Sequence, residues 1–191
     1  CTGLTRLTFP SGLTGIGDSA FSGCSGLTDI SFPETLQSIG SEAFYLCGYS
    51  KITIPASVTY IGDYGLYCGT SGGTDIYFSG NAPTVTAANS AKPSFSTDST
   101  LYFDLEKTGW VDSSCYDPLT GKWNGYKTSV AGDELLAYGM CGTNLRWKLY
   151  KNGRLSISGS GAMADYTYYT SAPWKGYSDS ISTVTVETGV T

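Results

Sequence analysis

Three successive copies of one motif open the chain, and the middle copy reads Cys24-Ser-Gly-Leu-Thr-Asp-Ile30-Ser-Phe-Pro-Glu-Thr-Leu36-Gln-Ser-Ile-Gly-Ser-Glu-Ala-Phe44-Tyr-Leu-Cys47. An earlier copy starts at Cys1, and a later, slightly shorter copy starts at Cys47. Self-similarity at a fixed period of 23 residues is typical of proteins built as a stack of structural repeats. The spacing therefore predicts a solenoid over this part of the chain.

Each copy predicts one short strand. Apolar and polar residues alternate in residues 7–9, 30–32 and 52–54, so the apolar side chains share one face. A proline follows each triplet, and proline has no N–H with which to extend a ladder. We expect the apolar residues to point into the coil, with Leu7, Ile30 and Ile52 side by side in a single sheet.

Two further features of each copy close the coil. An apolar pair such as Leu36 and Ile39 predicts a return along the far side, and the glycine after it permits a sharp turn. The Ala43-Phe44 pair that follows predicts a single helical turn. One coil cannot bury these residues alone, whereas stacked coils can.

The pattern Cys-Ser-Gly-Leu-Thr-x-Ile-x-Phe-Pro-x-x-Leu-x-x-Ile-Gly-x-x-Ala-Phe resembles the BspA-type leucine-rich repeat of bacterial surface proteins, over residues 1 to about 68. The resemblance implies a curved right-handed solenoid with a parallel sheet on one face. The expected fold class is a leucine-rich-repeat solenoid, mostly β with short helical turns and parallel strands, plus a small cap module that contains a β-hairpin.

The pattern divides the chain into three regions. Residues 1–80 hold the leucine-rich repeats, and residues 81–130 read as degenerate repeats that form a C-terminal cap of the first array, with an irregular loop over 84–99. Residues 131–191 read as a hairpin cap and the start of a second array. Its hairpin is predicted by Asn152-Gly153 between two alternating runs. We expect the chain to be a fragment of a larger protein with several arrays.

The six cysteines leave two readings open. Cys1, Cys24, Cys47 and Cys68 occupy one repeat position, where packing as small apolar thiols is favoured over bridging. A disulfide bond between the remaining two, at positions 115 and 141, stays open.

Composition argues against several classes of function. The net charge is −5 and basic clusters are absent, which argues against nucleic acid and anionic membranes as partners. No run of about 20 apolar residues is present to insert into a membrane. The chain has no histidine, so Ser-His-Asp systems and His-containing zinc sites are excluded. We expect no enzyme activity, no cofactor and no metal site.

Two surfaces are candidates for binding. The first is the outward-facing side of the strands, which we name the outer strip; its residues are Arg6, Thr8, Asp29, Ser31, Lys51, Thr53, Asp75, Tyr77, Thr100 and Tyr102. Solenoids use such extended faces to bind partners, although a polar face can also be merely solvated. The second is an aromatic patch, whose residues are Tyr166, Tyr168, Tyr169, Trp174 and Tyr177. Tyrosine and tryptophan suit interfaces and also stack on sugars, but these rings can equally pack the cap against the next array.

The sequence and the family resemblance together favour a non-catalytic adhesion or protein-binding module. We expect it to be extracellular or at the surface of a bacterial cell, with an extracellular protein or glycan as its partner. The alternatives are a carbohydrate-binding region and a spacer attached to a secreted enzyme.

Overall fold

A computed structural model of the protein describes residues 1–69, 73–104, 107–111, 113–117, 120–130, 135–167 and 172–191. The chain separates into two compact units, Cys1–Ala131 and Gly132–Thr191. The sequence of residues 130–133, Val-Ala-Gly-Asp, predicts a linker, and most of it lies outside the described residues.

Unit 1 is a β-solenoid with a front and a back layer of short parallel strands. The front strands and the back strands alternate along the chain: β1 (Arg6–Thr8), β2 (Gly15–Ile16), β3 (Asp29–Ser31), β4 (Ser38–Ile39), β5 (Lys51–Ile54), β6 (Tyr60–Ile61), β7 (Asp75–Phe78), β8 (Thr84–Val85) and β9 (Thr100–Phe103). Odd-numbered strands belong to the front and even-numbered strands to the back. The predicted leucine-rich-repeat solenoid is confirmed.

The front layer has a break that the sequence analysis did not anticipate. β1 pairs with β3, which places Leu7 beside Ile30, but β5 pairs with β7 instead, which places Ile52 beside Ile76. Among the described residues no ladder joins β3 to β5. The expectation of one sheet through Leu7, Ile30 and Ile52 is therefore wrong at its second step.

The third copy enters this layer through a link from Cys47 to Ile52 that is one residue shorter than the equivalent link in the second copy. The coils stay stacked because the back sheet runs without interruption in the order β2-β4-β6-β8. Gly48 also donates its N–H to the Leu27 carbonyl oxygen at 3.1 Å. A Cβ atom at Gly48 would overlap the carbonyl oxygen of Ser25, so only glycine fits this contact.

The segments after the back strands are hydrogen-bonded turns rather than the expected helical turns. Ser19, Glu42 and Tyr64 have positive φ angles of 56°, 56° and 53°, which interrupt any right-handed helical run. Their backbone hydrogen bonds run both within each turn and between coils: the Phe21 N–H donates to the coil above it, and the Phe44 N–H does the same at 3.0 Å. The two phenylalanine rings stack with centroids 5.3 Å apart.

Burial rises sharply from the first coil to the second. Leu36, Ile39 and Phe44 are fully buried, whereas Leu13 and Phe21, which hold the first-coil positions of Leu36 and Phe44, are only half-buried. Each coil thus shields the apolar residues of its neighbour, which is the source of stability in a stacked repeat.

Residues 84–99 are not simply an irregular loop, so this prediction is wrong. β8 extends the back sheet by pairing with β6, and Phe95 forms a parallel bridge with Leu66. Phe95 is fully buried and takes the position inside its coil that Phe44 holds two coils earlier. The described residues of this region therefore form a fourth coil, although its sequence no longer shows the motif.

An antiparallel hairpin ends the front sheet. Its strands are β10 (Tyr116–Asp117), β11 (Lys122–Trp123) and β12 (Tyr126–Val130); β12 is parallel to β9, and β11 and β10 follow antiparallel. Asn124 and Gly125 both have positive φ, as a tight hairpin turn requires. Trp110 is fully buried beneath this hairpin and its ring lies 4.7 Å from that of Trp123.

Unit 2 is a small four-stranded sheet. Its elements are β13 (Leu135–Met140), β14 (Leu145–Tyr150), β15 (Arg154–Gly159), a 3₁₀ helix (Lys175–Ser180) and β16 (Thr183–Val186). The predicted hairpin is confirmed, because β14 and β15 pair antiparallel across Asn152 and Gly153. β16 then pairs in parallel with β15. Trp147 lies in the core of this unit together with leucine and isoleucine side chains of the same strands.

Candidate functional site

The outer strip lies on the front layer of unit 1, where every second side chain of each strand faces away from the core. β5 shows the pattern directly, since Lys51 and Thr53 are exposed while Ile52 and Ile54 are buried. This alternation follows from the period of two in a strand. In the ladder from β5 through β7 to β9, the register places Lys51 beside Asp75 on the next strand. Asp75 in turn lies beside Thr100 on β9.

The most ordered part of the outer strip is a stack of aromatic rings and one cation. Tyr77 and Tyr102 lie on adjacent strands with ring centroids 4.4 Å apart and planes only 6° from parallel. The Lys51 ammonium lies 4.4 Å from the centroid of the Tyr77 ring, which is a cation–π geometry. Partial burial and the nearby Asp75 carboxylate raise the pKa of Tyr102, so its hydroxyl stays protonated at neutral pH. Four neighbouring side chains thus hold one another in place.

The first two coils contribute a polar end to the outer strip. The Arg6 Nε atom lies 2.6 Å from the Asp29 Oδ2 atom, with both side chains mostly exposed. Exposed ion pairs of this kind contribute about 0–1 kcal/mol and weaken in salt. Thr8 and Ser31 lie beside each other in the same ladder and are exposed.

The strip extends one strand beyond the residues named from the sequence. β12 pairs in parallel with β9, which places Lys127 beside Thr100 and Ser129 beside Tyr102. The sequence analysis missed both, because residues 126–130 lack the repeat motif. The Asn124-Gly125 turn signal immediately before them could have located this strand.

A family model described as "BspA type Leucine rich repeat region (6 copies)" matches residues 1–90. Residues 1–90 are a BspA-type leucine-rich repeat region. The BspA-type repeats therefore reach beyond residue 68, where the sequence resemblance was expected to end, and include β7 and β8. No curated protein and no solved structure matches the chain.

The turns of the BspA-type repeats carry a second aromatic cluster that the sequence analysis missed. Tyr45, Tyr64 and Tyr67 are partly exposed, and their ring centroids lie 5.3–5.8 Å apart. The Tyr64 hydroxyl donates to the Ala91 carbonyl oxygen at 2.6 Å, which fixes one ring of the three. Tyr45 and Tyr67 each come directly after the large buried residue of their turn. That shared repeat position could have identified the cluster from the sequence.

Three cysteines of the BspA-type repeats, Cys24, Cys47 and Cys68, are buried, whereas Cys1 is exposed. All six cysteines of the chain are free thiols in the structure. Burial, with a smaller contribution from neighbouring thiols, raises the pKa of Cys47 to about 12, and burial raises the pKa of Cys68 to about 11. Thiols that are buried and protonated pack as small apolar groups.

The described residues contain no group of three or more Cys, Asp or Glu side chains placed to hold a metal ion. Within the same residues, no helix is long and apolar enough to cross a membrane.

The described members of the aromatic patch gather around the core of unit 2. Trp174 lies edge-on to Trp147 and to Tyr166, at 6.0 Å between centroids in both pairs. The Tyr166 hydroxyl donates to the Cys141 carbonyl oxygen at 3.3 Å, while Tyr177 is 39% exposed. Two further members, at positions 168 and 169, lie outside the described residues.

Proposed function

We propose that the outer strip of the BspA-type repeats binds a folded partner protein outside the cell, as part of a secreted or cell-surface adhesion module. The observation that carries this proposal is the ordered stack of Lys51, Tyr77 and Tyr102 on a regular parallel sheet. The family suggests a protein-binding or surface module, and solenoid repeats of this kind are typically non-catalytic.

The geometry of the strip favours a broad partner. Its side chains stand on successive strands about 4.8 Å apart, so they form an extended surface rather than an enclosed cavity. Tyrosine offers a large contact area with few rotatable bonds, and rings that are already stacked lose little further entropy on binding. Interface hot spots are enriched in such preordered aromatic side chains.

The proposal is tested by capture of proteins from a solubilised extracellular-matrix extract on the immobilised chain. We expect the double variant Tyr77→Ser, Tyr102→Ser to lose at least about tenfold in affinity for the captured protein, since aromatic hot spots contribute more than about 1.4 kcal/mol each. Tyr60→Ser is the matched control, because Tyr60 is 45% exposed but belongs to the back strand β6.

Two results would contradict the proposal. One is equal loss of captured protein with the control and the double variant, which would place the contact elsewhere. The other is capture that survives protease digestion of the extract but not periodate oxidation, which would assign binding to a glycan.

A further inference from the structure

A pocket of about 580 Å³ lies between the last coil of unit 1 and the hairpin that ends its front sheet. Its walls are fixed by direct hydrogen bonds. Ala88 donates its N–H to the Asn124 carbonyl oxygen at 2.9 Å, which ties the segment after β8 to the hairpin turn. The buried Trp123 anchors the hairpin through its indole N–H, which donates to the Gly109 carbonyl oxygen at 2.9 Å. The pocket is therefore preformed, which lowers the entropic cost of binding.

Small residues leave this pocket open. Ala87, Ala88 and Gly125 contribute no long side chain to its wall. A Cβ atom at Gly125 would lie only 3.2 Å from the Ala88 Cβ atom, and its φ of 82° favours glycine. The close approach of these two segments shapes the floor.

The polar groups of the pocket are of two kinds. Asn89, Thr97 and Asn124 can each donate and accept hydrogen bonds, and Lys122 adds the one cation among the lining residues. The lining set holds no carboxylate, and within the described part of the chain Lys122 forms no ion pair. Lys122 is thus the cation of the pocket wall in a protein with a net charge of −5, and its partner across the β10–β11 register is Asp117.

We propose that this pocket binds an acidic sugar, a ring that carries one carboxylate and several hydroxyl groups. Lys122 pairs with the carboxylate, and the two amides and Thr97 exchange hydrogen bonds with the hydroxyl groups. The volume falls within the roughly 300–1,000 Å³ of small-molecule sites. The lining residues are polar or small rather than aromatic, which favours a polyhydroxylated ligand over a base that needs a stacking partner.

The test titrates glucuronate into the full ¹⁵N-labelled chain and follows amide chemical shifts. Glucose is the matched probe, because it differs from glucuronate only by a hydroxymethyl group in place of the carboxylate. We expect saturable shifts at residues 87–89, 97 and 122–125 with glucuronate, and binding of glucose at least about tenfold weaker, since hydrogen bonds to charged groups are the stronger ones.

Variants locate the charge that recognises the sugar. Lys122→Gln should weaken glucuronate binding about tenfold, for the same reason. Lys151→Gln is the matched control: Lys151 is an exposed lysine in the turn between β14 and β15 of unit 2 and is not part of the pocket wall. We expect the control to bind glucuronate as the wild type does.

Three outcomes would overturn the proposal. They are the absence of saturable shifts, equal binding of glucose and glucuronate, and equal loss in the two lysine variants. An acetylated dialanine peptide with a free carboxylate serves as a third probe; binding as tight as that of glucuronate would assign the pocket to peptide ends instead. The variant at Tyr77 and Tyr102 should leave glucuronate binding unchanged, so failure here is separable from failure of the protein-binding proposal.

Discussion

Replacing Leu36 with alanine tests whether stacking of coils supplies the stability of unit 1. Leu36 is 0% exposed, so the substitution removes three buried carbons, worth about 0.8 kcal/mol each, and leaves a cavity. We expect a loss of roughly 3 kcal/mol in the free energy of unfolding. The matched control is Leu13→Ala, at the same position of the first coil, where the side chain is half-buried and no enclosed cavity forms. Its expected cost is about 1 kcal/mol.

The assay is urea unfolding followed by far-UV circular dichroism, with hydrogen-exchange mass spectrometry to assign the transition to unit 1. At a slope of about 1–3 kcal/mol per molar urea, a loss of about 3 kcal/mol should lower the midpoint of the Leu36 variant by roughly 1–3 M. Equal costs at the two positions would refute the reasoning, because the argument requires the neighbouring coils, not the side chain alone, to set the energy. A changed slope would indicate that the coils no longer unfold together.

Three further predictions follow from single contacts. Gly48→Ala should destabilise unit 1 by several kcal/mol, because its Cβ atom would overlap a carbonyl of the coil below, whereas Gly12→Ala, with nothing within 4 Å, should be nearly neutral in the same urea assay. Tyr126→Phe should lower the free energy of unfolding by about 1–2 kcal/mol, because the buried Tyr126 hydroxyl donates to a carbonyl oxygen at 2.7 Å. Burial also raises the pKa of Tyr126 to about 12. The stability that this residue contributes below about pH 10 should therefore be lost as the pH rises through about 12, and the Phe variant should show a smaller loss. Cys115, which is exposed, should react with a thiol reagent at pH 8 much faster than Cys47, and equal rates in the native state would contradict the burial of the latter.

The front strands were predictable because two signals coincide in them. Apolar alternation at Leu7, Ile30 and Ile52 agrees with the period of the copies, so each strand is supported by its own pattern and by its neighbours. The missing ladder between β3 and β5 could not be predicted, because the alternating pattern of the third strand is the same as that of the two strands before it.

The fourth coil was harder to see because its parts are far apart in sequence. Val85 takes the back-strand position of this coil, and Phe95 takes the position that Leu66 holds in the coil before it. A polar insertion separates the two. Only the coil beneath shows that they belong together. The same reason hid the pocket, whose lining comes from three separate segments that share no motif.

The outer strip was predictable in part. Tyr77 and Tyr102 follow from strand alternation, and the register then forces their rings together. The continuation to Lys127 depends on a strand whose sequence has no apolar repeat, so its place could not be read from periodicity.

The hairpin at the end of the front sheet limits further strand pairing at that edge. β11 runs against the direction of β12, and β10, the last strand of the sheet, spans only two residues, so the final edge offers a very short template for further pairing. If whole coils before it were duplicated or deleted, the hairpin would still end the front sheet, because it pairs with the last coil.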